Sequence, residues 1–218
     1  MHVLILDCDF DRNRKTNGAR LINGILESCG ADARIYRAFG PGMPSVDSLM
    51  DYDRIIITGS MASAYEKRNW ILRLVRTIRA IDRMGIGTLG VCFGYQAIAF
   101  ALGGRVKKGC GEQGFKKVGI TKDGMADPLF GGLPKKFIVY QSHGDYVKSL
   151  PKKGVELARN GSCIQAYKVR NMYGVQFHPE ISKEIAELMY KRDRKPITFG
   201  ALPNHYALPV KLIKNFVA

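Results

Sequence analysis

The 218-residue sequence lacks the features that mark several large classes of protein. No apolar run reaches the ~20 residues that a membrane-spanning helix needs. The N-terminus turns acidic after five apolar residues and has no basic lead-in, so we expect a first strand there and not a signal peptide. No phosphate loop of the G-x-x-x-x-G-K-[ST] type occurs. These absences predict a protein without a membrane span that cannot activate a substrate with ATP through that loop.

Cysteines are few, scattered and odd in number, and none forms a C-x-x-C pair; they are Cys8, Cys29, Cys92, Cys110 and Cys163. This pattern argues against a disulfide framework and against a zinc site. We therefore predict a cytoplasmic protein without a metal or another cofactor. All of these cysteines except Cys92 are expected to be small buried apolar residues.

Acidic residues are also scarce, 19 against 34 basic ones, and the net charge is +15. Such a charge can attract nucleic acid or anionic partners. The basic residues are mostly spread as pairs that alternate with apolar residues, with one denser run at 191–195, and this spread is typical of a solvated face. We therefore do not expect nucleic-acid binding as the main function. A non-catalytic basic module that binds nucleotides or RNA remains an alternative.

Apolar strand-like segments alternate with amphipathic helical ones up to about residue 104. The predicted strands cover 2–9, 31–39, 53–60 and 87–92, and the predicted helices cover 18–30, 70–85 and 95–104. Beyond Arg105 the pattern changes to short alternating strands, followed by a helix over 182–194. This order predicts an α/β fold in which a doubly wound, mostly parallel sheet carries an added antiparallel edge. We expect one domain over 1–218.

The segment GTLGVCFGYQ at 87–96 places Cys92 at the end of a predicted strand. Ligands of such sheets bind at the carboxyl ends of the strands. The G-x-C-x-G pattern resembles the turn that exposes the nucleophile of many hydrolases, where a side chain at Gly90 or Gly94 would collide with neighbouring backbone. A helix N-terminus stabilises a thiolate, and the N–H of Phe93 points where an oxyanion would form. Cys92 is the candidate nucleophile.

A nucleophilic thiol needs a base, and His178 in YGVQFHPE is the strongest candidate among four histidines. It ends an apolar strand, and Glu180 follows two residues later to accept its second ring proton. A base with an orienting carboxylate is the arrangement that activates a thiol. His2 lies in the first predicted strand, and His205 lies in a proline-flanked segment expected at the surface.

The motifs GVCFGYQ, YQSHGDYV and YGVQFHPE, in this order, resemble those of the class I glutamine amidotransferases. The resemblance covers essentially the whole chain and is strongest to the glutaminase part of GMP synthases and to free-standing proteins like it. It implies a three-layer, flavodoxin-like fold. It also implies that Cys92 attacks the side-chain amide of glutamine to form a thioester, that His178 moves the proton and that Glu180 orients His178.

The resemblance also assigns residues around the reacting amide. The oxyanion donors would be the backbone N–H groups of Phe93 and of Ser60, which follows Gly59 in a turn. The substrate-binding residues would be Gln96, Ser142, Gly144 and Asp145, whereas His143 would support the pocket. Two segments depart from the synthase pattern, namely Ser60-Met61 in place of a second glycine and a proline, and residues 109–115.

The chain also lacks the serine-glycine-glycine loop of the synthetase half of these enzymes. The expected partner is therefore a separate synthetase of the ATP pyrophosphatase type that receives the ammonia, with GMP as one candidate product. The alternative is a stand-alone hydrolase of γ-glutamyl peptides or amides. An insertion of about thirty residues between Glu180 and the C-terminal LIKNFVA suggests this alternative, because it could cover the surface that a synthetase would use.

Overall fold

The computed structural model describes residues 1–11, 13, 15–40, 42–194 and 209–218. Its strands are β1 (His2–Asp7), β2 (Asp32–Arg37), β3 (Arg54–Ile57), β4 (Gly87–Val91), β5 (Arg105–Ile120), β6 (Lys136–Ser149), β7 (Val155–Arg159), β8 (Ile164–Val169) and β9 (Met172–Val175). Its α-helices are α1 (Gly18–Glu27), α2 (Asn69–Met84), α3 (Phe93–Ala101), α4 (Lys122–Ala126), α5 (Lys183–Arg192) and α6 (Val210–Phe216).

The strands form one mixed sheet in the order β2-β1-β3-β4-β9-β8-β7-β5-β6. The first five in this order run parallel to one another, and each remaining neighbour is antiparallel. This arrangement confirms the predicted α/β class with a parallel sheet and an antiparallel edge. The carboxyl ends of β3, β4 and β9 therefore meet at one edge of the sheet, where ligands bind in folds of this class.

Helices cover both faces of the parallel part of the sheet. On β1 the fully buried Val3 and Ile5 face the core shared with α1 and α6, whereas Leu4 and Leu6 face the core shared with α2 and α3. Burying each such side chain contributes about 1.5–3 kcal/mol. The three layers hold the strand ends rigidly. Of the helices in the described ranges, none is long and apolar enough to cross a membrane.

Strand β6 is longer than the sequence pattern predicts. It continues from its apolar first half through the polar motif to Ser149, because β5 pairs with it along most of its length, for example Glu112 with His143. Polar residues on both strands of this antiparallel pair hide the alternation that marks a strand in sequence. The pairing places the residues of the SHGD motif at fixed positions beside the end of β4.

Candidate active site

Cys92 lies on a sharp turn between β4 and α3, with φ 52° and ψ −101°. A Cβ at Gly90 would lie 2.4 Å from the carbonyl carbon of Gly94. A Cβ at Gly94 would lie 2.2 Å from the carbonyl oxygen of Ile57. Both distances are far below van der Waals contact, so the turn requires glycine on each side of the cysteine, as the sequence pattern predicts. The buried Cys92 occupies backbone space that non-glycine residues rarely adopt, which is common at functional sites.

His178 reaches the thiol from the segment after β9. Its N–H donates to the carbonyl oxygen of Tyr140 at 2.9 Å, which anchors the segment to β6. Its Nδ1 lies 2.8 Å from Oε1 of Glu180. A Cβ built at Gly59 would lie 3.1 Å from Cε1 of His178 and 3.7 Å from Cβ of Cys92. The imidazole and the thiol therefore lie beside the same glycine, and the three predicted catalytic residues meet in one place.

The charges around His178 favour its protonated form. Burial lowers the pKa of His178, but Glu180 and Cys92 raise it through their charges and hydrogen bonds, and the net pKa lies well above its ordinary value. Glu180 is itself buried at 6% exposure, and its Oε2 has no hydrogen-bond partner among the described residues. A buried carboxylate of this kind interacts strongly with an adjacent imidazolium.

The two predicted oxyanion donors flank the thiol. Phe93 is the first residue of α3, where the backbone N–H has no intrahelical acceptor. Ser60 follows Gly59 after β3, and its hydroxyl accepts a hydrogen bond from the N–H of Ala62 at 3.2 Å. Ser60 and Cys92 line the same cleft. An oxygen bound between these two segments would lie near a helix N-terminus, which stabilises negative charge.

A cleft of about 650 Å³ opens beside Cys92. All four predicted substrate-binding residues line it, namely Gln96, Ser142, Gly144 and Asp145. The carbonyl oxygen of Ser142 lies 3.7 Å from Sγ of Cys92, so the SHGD motif reaches the sulfur itself. The structure therefore brings together residues of α3 and β6 around one space large enough for an amino-acid substrate.

Gln96 supports this cleft through hydrogen bonds within the protein. Its Nε2 donates to the carbonyl oxygen of Asp145 at 3.0 Å and to Oε1 of Gln176 at 3.3 Å. The side chain is 3% exposed. Gln96 thus connects α3 to the SHGD segment and fixes the shape of the cleft wall.

His143 also lines the cleft, but its ring nitrogens contact groups other than the thiol. Its Nδ1 is 3.1 Å from the carbonyl oxygen of Asp145, and its Nε2 is 3.3 Å from Oε2 of Glu112. Burial lowers the pKa of His143 and outweighs the opposing effect of Glu112. The family resemblance implies that this buried imidazole supports the pocket.

In the described part of the chain, one group of residues brings possible metal-ligand atoms within 4.8 Å of one another. It consists of Glu112, His143 and Cys163. Gln165 donates from Nε2 to Glu112 at 2.9 Å and to Sγ of Cys163 at 3.3 Å. Asn160 donates to both oxygens of Glu112. Amide groups therefore already satisfy the carboxylate, so the cluster holds together through hydrogen bonds.

The cleft residues that sequence reasoning missed include Tyr65, Lys108 and Gln113. The hydroxyl of Tyr65 donates to Oδ1 of Asp145 at 3.4 Å. Gln113 lies in segment 109–115, and Lys108 directly precedes it. In sequence, this segment departs from the synthase pattern. This departure was the one feature of the sequence that could have pointed to these residues. It could not place them in the cleft, because the pairing of β5 with β6 brings the segment there.

The expectation that the other four cysteines are buried is wrong for two of them. Cys8 and Cys163 are buried, but Cys29 and Cys110 are exposed. Cys29 follows α1 in a turn, and Cys110 lies at an irregularity of β5 with φ 50°, so neither position faces a core. His2 is exposed and pairs with Asp32, and His205 lies outside the described residues.

Comparisons with known proteins agree with this geometry. The family model of class I glutamine amidotransferases matches residues 19–193. One of the subunits of the glutamine-hydrolyzing GMP synthase of Pyrococcus abyssi is 41% identical over 173 residues, which cover 76% of this chain and 87% of that protein. The GMP synthase of Caldicellulosiruptor saccharolyticus is 38% identical over 187 residues, which cover 83% of this chain and 33% of that protein. The chain thus spans about a third of the length of that relative.

Two further comparisons are with a peptidase and with a solved structure. γ-Glutamyl peptidase 3 of Arabidopsis thaliana is 27% identical over 193 residues, which cover 84% of this chain and 77% of that protein. The crystal structure of a glutamine amidotransferase from Thermotoga maritima shares the fold, with a TM-score of 0.79 at 20% identity over 99% of this chain and 96% of that one. The family model covers most of the chain, and the relatives and the fold agree with it. The chain therefore belongs to the class I glutamine amidotransferase family.

Proposed function

We propose that the protein is a glutaminase that hydrolyses the side-chain amide of glutamine to glutamate and ammonia. The observation that carries this proposal is the meeting of Cys92, His178 and Glu180 beside a cleft with the dimensions of an amino-acid site. A thiol, an imidazole and a carboxylate in this order form the constellation that activates a nucleophile.

In the first step the thiolate of Cys92 attacks the amide carbon of glutamine. The carbonyl oxygen takes the negative charge and accepts hydrogen bonds from the N–H groups of Phe93 and Ser60. When the C–N bond breaks, the imidazolium of His178 gives its proton to the leaving nitrogen, and ammonia departs. The raised pKa of His178 supports this role, because it keeps a proton on the ring at neutral pH.

In the second step water replaces ammonia. His178, now neutral, takes a proton from water, and the oxygen attacks the thioester carbon. The C–S bond breaks, glutamate leaves, and the proton on His178 restores the resting pair with the Cys92 thiolate. Glu180 holds the ring through Nδ1 in both steps, so that the other ring nitrogen faces the reaction.

Substitution of the nucleophile tests the proposal. Purified wild-type protein, alone and with candidate synthetase partners, should release glutamate from glutamine, and Cys92→Ala should abolish the release. Cys29→Ala is the matched control, because Cys29 is exposed and lies outside the cleft. Activity that persists in Cys92→Ala would reject the mechanism. A wild-type thiol that no glutamine-analogue alkylator modifies would favour the non-catalytic alternative, which also predicts salt-sensitive RNA binding.

We further propose that the ammonia passes to a separate synthetase of the ATP pyrophosphatase type. The similarity to the Pyrococcus abyssi protein supports this proposal, since that protein is one of the subunits of a glutamine-hydrolyzing enzyme. Addition of such a synthetase from the source cell should give glutamine-dependent amination of its acceptor, with XMP as the first acceptor to test. Amination with free ammonium but not with glutamine plus this protein would contradict the partnership.

The similarity to a γ-glutamyl peptidase favours a second candidate, hydrolysis of γ-glutamyl amides other than glutamine. The same thioester chemistry applies, because only the leaving amine differs. Residues 195–208 of the inserted segment that suggested this candidate lie outside the described residues. A comparison of kcat/KM for glutamine and for N-substituted γ-glutamyl amides separates the two candidates.

A further inference from the structure

Two separate cavities adjoin Cys92. The cleft described above holds the predicted substrate-binding residues. A smaller cavity of about 90 Å³ adjoins the same thiol next to His178 and Glu180, and it shares Ser60 and Ser142 with the cleft. Its wall also includes Asp9, Thr16, Gly18, Ile181 and Met189. The proposed mechanism uses catalytic residues in its wall but assigns no part of the substrate to this space.

The chemistry of the thioester step decides which part of a substrate faces each cavity. The γ-glutamyl group stays on the sulfur and extends into the larger cleft towards Gln96 and Asp145. The leaving nitrogen takes its proton from His178, so it must lie within hydrogen-bond distance of that ring. A substituent on the nitrogen therefore points away from the larger cleft and into the cavity beside His178 and Glu180.

The size of this cavity exceeds what ammonia needs. A cavity of ~10–15 Å³ suffices for one water molecule, which is similar in size to ammonia. The observed volume of about 90 Å³ leaves room for several more heavy atoms. Ile181 and Met189 supply apolar groups to its wall, which suit an alkyl substituent better than a charged one.

The polar side of the cavity is held in place by hydrogen bonds. The carboxylate of Asp9 accepts from the N–H of Gly18 at 3.1 Å. The hydroxyl of Thr16 accepts from Nη1 of Arg192 at 3.1 Å, and the same guanidinium pairs with Asp11. Arg192 belongs to α5, so the loop that follows β1 is tied to the helix on the opposite side of the cavity. The space is thus part of a fixed structure.

We propose that this cavity binds the leaving amine of the substrate, and that the enzyme hydrolyses γ-glutamyl amides of small alkylamines as well as glutamine. This inference rests on the proposed glutaminase chemistry and deepens it, because it names the substrate class that the cavity admits. The substrate chosen to test this is the γ-glutamyl amide of ethylamine, which carries two carbons on the amide nitrogen.

The test compares glutamine with γ-glutamylethylamide by kcat/KM, which reports formation of the thioester. We expect the wild-type values for the two substrates to agree within about tenfold, since an unfilled apolar pocket gains from added methylenes. Gly18→Val narrows the cavity, because a Cβ there lies 3.5 Å from Oε1 of Glu180 and 3.9 Å from Oδ2 of Asp9. We expect this variant to lose about tenfold more activity on the ethylamide than on glutamine.

Gly24→Val is the matched control, because Gly24 lies on the same helix and a Cβ there meets nothing within 4 Å. This control should leave both activities unchanged. The inference is overturned if glutamine is hydrolysed but the ethylamide is more than tenfold poorer, or if Gly18→Val lowers both activities equally. If neither substrate yields glutamate or a Cys92 thioester detectable by mass spectrometry, the proposed function itself fails, so the two failures are distinct.

Discussion

At the scale of single residues, the chemistry depends on how Glu180 sets the charge of His178. Burial by itself would drive the proton off the imidazole, and the nearby carboxylate, together with Cys92, reverses this effect. The contact of 2.8 Å between Nδ1 of His178 and Oε1 of Glu180 joins residues two positions apart in the chain. A short local segment therefore supplies both the base and its charge partner. The sequence pattern His-Pro-Glu is sufficient to predict this pair.

We predict that Glu180→Gln lowers the pKa of His178, because it removes the charge that raises it. The alkaline limb of kcat/KM against pH reports loss of the imidazolium proton, so it should move to lower pH. Glu184→Gln, at an exposed position four residues further along, should keep the wild-type profile. An unchanged alkaline limb in Glu180→Gln would show that His178 does not depend on this carboxylate.

At the scale of elements, the turn between β4 and α3 decides whether Cys92 is presented at all. The backbone of Gly94 packs directly on the carbonyl group of Ile57 at the end of β3, and its N–H donates to the carbonyl oxygen of Thr58 at 3.2 Å. The helix can start there because no side chain intervenes. Glycine is therefore required at position 94 because α3 packs directly against the end of β3.

We predict that Gly94→Ala lowers the free energy of unfolding by about 3 kcal/mol or more, since the new methyl group would lie 2.2 Å from a backbone oxygen. Gly24→Ala makes the same chemical change in open space on α1 and should instead stabilise the protein by about 0.5–1 kcal/mol, because alanine favours a helix. Thermal denaturation followed by circular dichroism measures both effects. Equal melting temperatures for the two variants would contradict the steric explanation.

At the scale of the whole molecule, one hydrogen-bonded sheet connects the parallel half to the antiparallel half. Strand β9 pairs with β4 on one side and with β8 on the other, so the two halves share a central strand. The single tryptophan, Trp70, packs on Phe93 with ring centroids 5.5 Å apart, directly beside the active-site turn. Its fluorescence therefore reports on the packing around the start of α3.

We predict that the chain unfolds as one domain in a single cooperative transition. Far-ultraviolet circular dichroism follows the whole sheet and its helices, whereas Trp70 fluorescence follows the packing around α3, and the two melting curves should coincide. Two separate transitions would indicate that the antiparallel edge unfolds independently and would contradict the one-domain assignment.

The excess of positive charge also acts at this scale. We predict weak, sequence-independent binding to DNA at low salt that disappears by about 200 mM salt, because each phosphate contact is lost by counterion competition. Glutamine hydrolysis should not depend on added DNA, since the cleft lies at the strand ends and its described wall contains one lysine, Lys108. DNA that changes kcat/KM for glutamine would instead connect the charge to the site.

Features that depend on short stretches of chain could be predicted from the sequence alone. The alternation of apolar segments specified the parallel sheet, the two glycines around Cys92 specified the turn, and the spacing of His178 and Glu180 specified their contact. Each of these depends on backbone geometry or side-chain reach within a few residues, so a local pattern carries the information.

Contacts between distant segments were decided by the tertiary structure. Pairing of β4 with β9 brings Cys92 next to the segment of His178, with the N–H of Cys92 donating to the carbonyl oxygen of Val175 at 2.8 Å. Pairing of β5 with β6 places Lys108 in the cleft, and the cavity for a leaving amine exists because the loop before α1 lies against α5. Strand register and packing between elements set these contacts, and no local pattern in the chain encodes them.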